Sequence, residues 1–224
     1  MPNWCYNTMT VKGDPSELAE FKAAITTCEL SESSEFSLTA LIPMPEALHG
    51  STSPAPESPE PHENWANLLA NGEITQEWYD ELCADRIKQY ETGQRLMAEC
   101  GYPSWYEWQD ANWGIKWGDC DSTIEADHSD VFIGSYDTPW SPFRESFFET
   151  ISARFPNLKF TIGFREEGMG FVGAYSFANG ETLSVVTHST PVFHGDWDNP
   201  DDCSAHMTSM KMALTSAMAE VWAG

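Results

Sequence analysis

Between Asn157 and His188 the chain reads NLKFTIGFREEGMGFVGAYSFANGETLSVVTH, and no other stretch limits the fold as strongly. Runs of β-branched and aromatic residues are broken twice by glycine-bearing turns, at Glu166 to Gly170 and at Asn179-Gly180. Asn-Gly supplies two residues that tolerate positive φ, which a two-residue hairpin turn requires. Three consecutive antiparallel strands are therefore predicted. A meander of this kind has an apolar face that other elements must cover.

The start of the chain supplies a further strand. WCYNTMTVKG, residues 4–13, alternates so that Cys5, Asn7, Met9 and Val11 share one face. DPSELAEFKAAI then opens a helix, with Asp14 at the N-cap, Pro15 at N1, Glu17 at N3, and Leu18, Phe21 and Ile25 at helical spacing. EFSLTALIPM, residues 35–44, is apolar and β-forming and reads as a second strand, giving a β-α-β opening. Later, DVFIGSYDTPW reads as a strand. SPFRESFFETISARFP reads as a helix started by Ser141 and Pro142, with Phe147, Phe148, Ile151 and Phe155 inward. The tail from Asp201 is an amphipathic helix that buries Met210, Leu214, Ala217, Met218 and Val221.

Between these parts the texture changes. Residues 43–61 are rich in proline and serine, which predicts an extended, exposed connection. A helical block follows, in which Ile74, Trp78, Leu82, Ile87, Tyr90 and Met97 are expected to form an inward face, ending at Gly101. Tyr102, Trp105, Tyr106, Trp108, Trp113 and Trp117 continue it as an aromatic knot. The expected organisation is a core of residues 1–54 and 121–224 with a helical, Trp-rich insertion at 55–120. The fold class is α+β: a ferredoxin-like antiparallel sheet with helices on one face, interrupted after its second strand by the insertion, plus a C-terminal helix.

Charge narrows the function. Acidic residues number 35 against 11 basic ones, for a formal net charge of -24. Such a surface repels phosphate backbones and anionic membranes and attracts basic surfaces, so direct nucleic-acid binding is disfavoured. No apolar run reaches the roughly 18 residues that cross a bilayer. MPNWCYNTMTVKGD also lacks the basic and apolar regions of a signal peptide, so a cytoplasmic location is expected. The six cysteines form no Cys-x-x-Cys pair, and free thiols are expected rather than zinc ligands or disulfides.

MPNWCYNTMTVKGD, NWGIKW at 112–117, DTPWSP at 137–142 and FREEGMGFVG at 164–173 together resemble the Api92-like/YubB family, phage and plasmid proteins with a ferredoxin-like domain. These blocks span most of residues 1–178. The resemblance implies a mobile-element origin, a bacterial host cell and the fold, and it carries no catalytic residues with it.

Four candidate sites follow. GMGFVG at 168–173 matches G-x-G-x-x-G, but a strand rather than a helix follows it, so no helix N-terminus would meet a pyrophosphate and the match is rejected. His188, His194 and Asp196 offer N and O ligands for a divalent metal, the basis of an alternative reading as a metal-dependent hydrolase of nucleotide-type substrates. The competing reading of that stretch is a solvated acidic loop. Trp113, Lys116 and Trp117 are either a small-anion pocket or an aromatic pin on the core. Glu73, Glu77, Asp80 and Glu81, with Trp78 among them, are expected to share a helix face as a surface for a partner. No nucleophile motif is present, and no resident cofactor is expected. The leading expectation is a non-catalytic interaction protein that binds a basic host protein or nucleoprotein complex. One form of it is a nucleic-acid mimic that inhibits a host defence complex of the CRISPR or restriction type.

Overall fold

The computed structural model describes residues 3–28, 30–190, 195 and 199–223. It divides into two compact units, Met1–Pro43 with Asn112–Gly224, and Met44–Ala111. In this division residues 44–54 fall in the second unit, and residues 113–119 are bonded into the first. The Trp113 indole N–H donates to the Ile42 carbonyl at 2.9 Å. The Asp119 carboxylate accepts from the Leu38 and Thr39 amides at 2.9 and 3.1 Å.

The first unit is built on six antiparallel strands: β1 Trp4–Gly13, β2 Cys120–Asp127, β3 Val131–Pro139, β4 Leu158–Glu166, β5 Phe171–Ala178 and β6 Glu181–Ser189. Their order is β2-β3-β1-β4-β5-β6. The meander of β4, β5 and β6 is as the turn chemistry predicts, and Asn179 and Gly180 both adopt positive φ, 52° and 81°. Alternation along β1 puts Cys5, Asn7, Met9 and Val11 on a fully buried face. Helix α1, Pro15–Thr26, begins where predicted, with the Asp14 carboxylate accepting from the Ser16 and Glu17 amides. Glu17 does not close a capping box. It accepts from the backbone and side-chain amides of Asn157 and so ties α1 to the turn before β4.

Two predicted elements differ. Residues 35–44 form no strand, and Leu38–Leu41 is a short 3-10 turn. Phe36, Leu38 and Leu41 are buried, so the apolar run is genuine. Its amides are claimed by Asp119 and by Ser122 Oγ rather than by a neighbouring strand, and the β-α-β opening is not formed. The strand at that end of the sheet is instead β2, the edge partner of β3. The second difference lies at Ser141-Pro142. Helix α5 runs Glu145–Arg154 with Arg144 at its N-cap, several residues later than predicted. Trp140 takes a φ of 64°, and the Thr138 hydroxyl holds the Ser141 carbonyl at 2.7 Å, so residues 140–144 make a tight turn first. Phe147, Phe148, Ile151 and Phe155 are buried as expected.

Both sheet faces carry helices. Val11, Phe132, Phe160 and Phe177 lie in one cross-strand row. Phe21 of α1 meets Phe132 and Phe160 edge-on, and Phe148 of α5 stacks on Phe177 at 5.3 Å. The opposite face, over β4 to β6, is covered by α6, Pro200–Ala223. There Gly163 and Ala174 stand opposite each other, and Ala174, Ala217 and Val221 form a small core. A Cβ on Gly163 would lie 2.5 Å from the Met218 sulfur, so the missing side chain is what lets α6 sit close.

The second unit contains a short 3-10 turn at Glu46–Leu48, α2 at Glu63–Ala70, α3 at Gln76–Cys100 and most of α4, Trp105–Asn112. Gly101 caps α3 with φ 78° and donates to the Met97 carbonyl, as predicted. The expected inward stripe is not formed. Ile74 is buried, but Trp78, Ile87 and Met97 are exposed, and α3 is buried only at Gly93 and Leu96. Gly93 lies against Ala55 and Pro103, so α3 is packed through its C-terminal half. Its first turns are left outward.

Candidate functional site

The acidic surface is built around the junction of α2 and α3. At the end of α2, Gly72 takes φ 72° and donates to Leu69, and the Glu73 amide donates to Leu68. This is a Schellman closure, and it leaves Glu73 in the turn rather than on the helix. Glu73 accepts from Asn71 Nδ2 at 3.3 Å. Thr75 is the N-cap of α3 and accepts from the Trp78 amide at 3.2 Å. The first turn of α3 then carries Glu77, whose charge complements the helix dipole.

Glu77, Asp80 and Glu81 are all exposed, and i,i+3 and i,i+4 spacing holds them within one arc of α3. Asp80 accepts from Gln76 Nε2 at 2.8 Å. None of these three carboxylates, nor that of Glu73, takes part in an ion pair among the described residues. Beside them Trp78 is 51% exposed. Glu81, Leu82 and Asp85 lie at i+3, i+4 and i+7 from Trp78, so an aromatic ring is set among acidic groups on one stripe. Glu81 and Asp85 thus flank Trp78, whereas Asp80, two residues on, projects away from the ring, and Glu73 stands in the preceding turn.

Trp113 and Trp117, on either side of Lys116, stand in opposite environments. Trp113 and Ile115 are buried in the first unit, whereas Trp117 is 53% exposed. The backbone reverses at Gly114, Trp117 and Gly118, all with φ between 73° and 78°. A Cβ on Gly118 would lie 2.7 Å from Thr39 Cγ2, so glycine is needed there on two counts. The segment pins the 3-10 turn at Leu38–Leu41 to the core through Trp113 and Asp119. Burial pushes the Asp119 carboxyl up from its ordinary range, and the donors Leu38, Thr39 and Ser37 pull it back down. Asp119→Ala would strand two amides, and is expected to cost about 3 kcal/mol in chemical denaturation.

Trp117 instead pairs with Trp140, at 5.6 Å between ring centroids, with Lys116 Nζ 4.4 Å from the Trp117 ring. This exposed pair joins two segments and went unrecognised in the sequence. Around it, one end of the sheet gathers all four of the sequence blocks quoted above. Cys5 is paired with Thr138 and Glu166, and Tyr6 with Asp137 and Arg165. The Glu166 carboxylate accepts from the amides of Gly168 and Met169. Arg165 stacks on Tyr6 at 3.9 Å and bonds Glu167 at 2.9 Å. Asn7 Nδ2 bridges the Cys5 carbonyl and the Thr138 hydroxyl, each at 2.8 Å. These polar groups brace a turn and a strand end, while the buried Asn7 Oδ1 has no hydrogen-bond partner among the described residues.

Burial also pushes Asp137 up, reinforced by Asp121 and opposed by Arg165. Its folded form therefore holds the proton more tightly than the unfolded chain, and its contribution to stability falls as pH rises through the raised value. Asp137→Asn is expected to raise the thermal midpoint at neutral pH and to leave it unchanged below the ordinary carboxylate range. Calorimetry at the two pH values checks this.

Of the suggested metal ligands, His188 pairs with Glu220 at 3.3 Å, while His194 and Asp196 lie outside the described residues. Among the described residues no group of three or more His, Cys, Asp or Glu side chains is arranged to hold a metal ion. All six cysteines are free. No described helix is long and apolar enough to cross a membrane.

Six antiparallel strands with helices make this an α+β protein with a ferredoxin-like domain. More particularly, residues 112–203 match the family model described as the ferredoxin-like domain in Api92-like protein, and the chain carries that domain over this segment. The crystal structure of protein api92 from Yersinia pseudotuberculosis aligns over 85% of this chain and 99% of that one, at 13% identity and a TM-score of 0.48. No curated protein matches the chain.

Proposed function

We propose that the chain is a non-catalytic interaction protein whose acidic helical unit docks on a basic protein surface. The observation that carries this reading is Trp78, half exposed on α3 among Glu77, Glu81 and Asp85, on a helix whose first turns are not buried. An exposed tryptophan ringed by carboxylates has the make-up of an interface anchor with a charged rim. Among the described residues these carboxylates form no ion pair, which leaves their charge to a partner. The net charge of -24 would steer a basic partner toward the chain at long range.

In its finer form, the partner is a nucleic-acid-handling complex of a bacterial cell, and the carboxylates occupy the place of phosphates. The cytoplasm is the compartment for such a role, and a phage or plasmid gene encoding a defence inhibitor is the setting that suits it. Capture of host proteins on the immobilised chain, washed with rising salt, tests the proposal. Basic proteins released by moderate salt are expected, and capture that ignores salt contradicts the electrostatic reading.

A further inference from the structure

Lys12 and Lys159 stand directly opposite each other on β1 and β4, the two central strands of the sheet. Like charges in that position destabilise a strand pair. A chain with 35 acidic and 11 basic residues has carboxylates in excess to neutralise them. Yet neither lysine forms an ion pair among the described residues.

The next same-facing row along these strands is Thr10 opposite Thr161, 7% and 5% exposed. Neither threonine hydroxyl is hydrogen-bonded among the described residues. Ser176 continues that row on β5, and its buried hydroxyl has no hydrogen-bond partner among the described residues. From α6, Trp222 closes over the two rows, with Lys12 Nζ 4.6 Å from its ring centroid. Lys12, Lys159, Thr10, Thr161 and Trp222 line an open cavity of ≈ 170 Å³.

Two lysines on paired strands that no described carboxylate neutralises are suited to a dianion, and hydroxyls in the next row supply neutral donors. The cavity is smaller than the roughly 300 Å³ at which sites for drug-sized ligands begin. It suits a head group rather than a whole nucleotide. We infer that this cavity binds a phosphate group, either free or as the terminal group of a small phosphomonoester. Lys12 and Lys159 supply the charge, Thr10 and Thr161 donate hydrogen bonds, and Trp222 walls the side on which an organic substituent would emerge. The inference is independent of the acidic docking surface, which lies in the other unit.

The test uses the full chain and follows its thermal midpoint with inorganic phosphate, with phenyl phosphate, and with sodium chloride at matched ionic strength. Both phosphates are expected to raise the midpoint beyond chloride. Lys159→Met is expected to weaken phosphate binding at least about tenfold. Without ligand, it should melt no lower than the parent chain, because a repulsion has been removed. Lys12→Met is the second variant, with the same expected loss. A larger response to phenyl phosphate that Trp222→Ala removes assigns the site to phosphomonoesters, and equal responses assign it to free phosphate. A phosphate effect no greater than that of chloride overturns the inference, as does a full response in both lysine variants.

Discussion

Replacing Glu77, Asp80 and Glu81 together by lysine is expected to weaken binding to the basic partner by about a hundredfold at low salt. The three carboxylates lie on one arc of α3, so each reversal turns an attraction into a repulsion at the same patch. A control set, Glu20, Glu125 and Glu181, changes the net charge equally. All three of these are exposed and belong to the first unit. Reversing them is expected to slow association a little through the overall field and to leave most of the affinity intact. Trp78→Ala should act differently, raising the dissociation rate with little change in salt dependence, because a buried aromatic anchor acts through desolvated contact. Equal losses from the two charge sets would show that the global charge, and not this surface, governs binding.

The second large effect concerns stability. Trp113→Ala is expected to cost about 3–5 kcal/mol, lowering the thermal midpoint on the order of 10 °C for a chain of this size. The buried ring would leave a cavity, and the Ile42 carbonyl would lose its indole donor. Trp117→Ala, four residues on, should change stability by no more than about 1 kcal/mol, because that ring is exposed and its contacts with Trp140 and Lys116 lie at the surface. Denaturation of the two variants side by side checks the division of labour within NWGIKW. Comparable losses would mean that Trp117 is structural as well.

Much of the first unit was legible because its local chemistry is explicit. Asn179-Gly180 announces the last hairpin, Asp14-Pro15 starts α1, and the spacing of Met210, Leu214, Ala217 and Val221 marks the buried face of α6. The misread segments lack such signals. An apolar run such as 35–44 is the same for a strand and for a buried turn, and what decides it is Asp119, remote in sequence, taking its amides. β2 reads CDSTIEAD and shows little apolar alternation because it is an edge strand, buried only at Ser122. In α3 the apolar residues have a helical period, but the contacts with Ala55 and Pro103 that choose the buried face come from outside the helix. The acidic surface could be anticipated as charge, although not the Schellman turn that sets Glu73 apart. Cross-strand register is invisible to composition, and it alone places Lys12 against Lys159 and Trp117 near Trp140.

We propose the acidic helical surface as the binding site. Its most direct test is the affinity of the purified captured partner for the parent chain and for the Glu77, Asp80 and Glu81 lysine variant across a salt series. A steep loss of affinity with salt is expected for the parent chain, and weak, nearly salt-independent binding for the variant. Matching affinities and matching salt slopes for the two chains would contradict it.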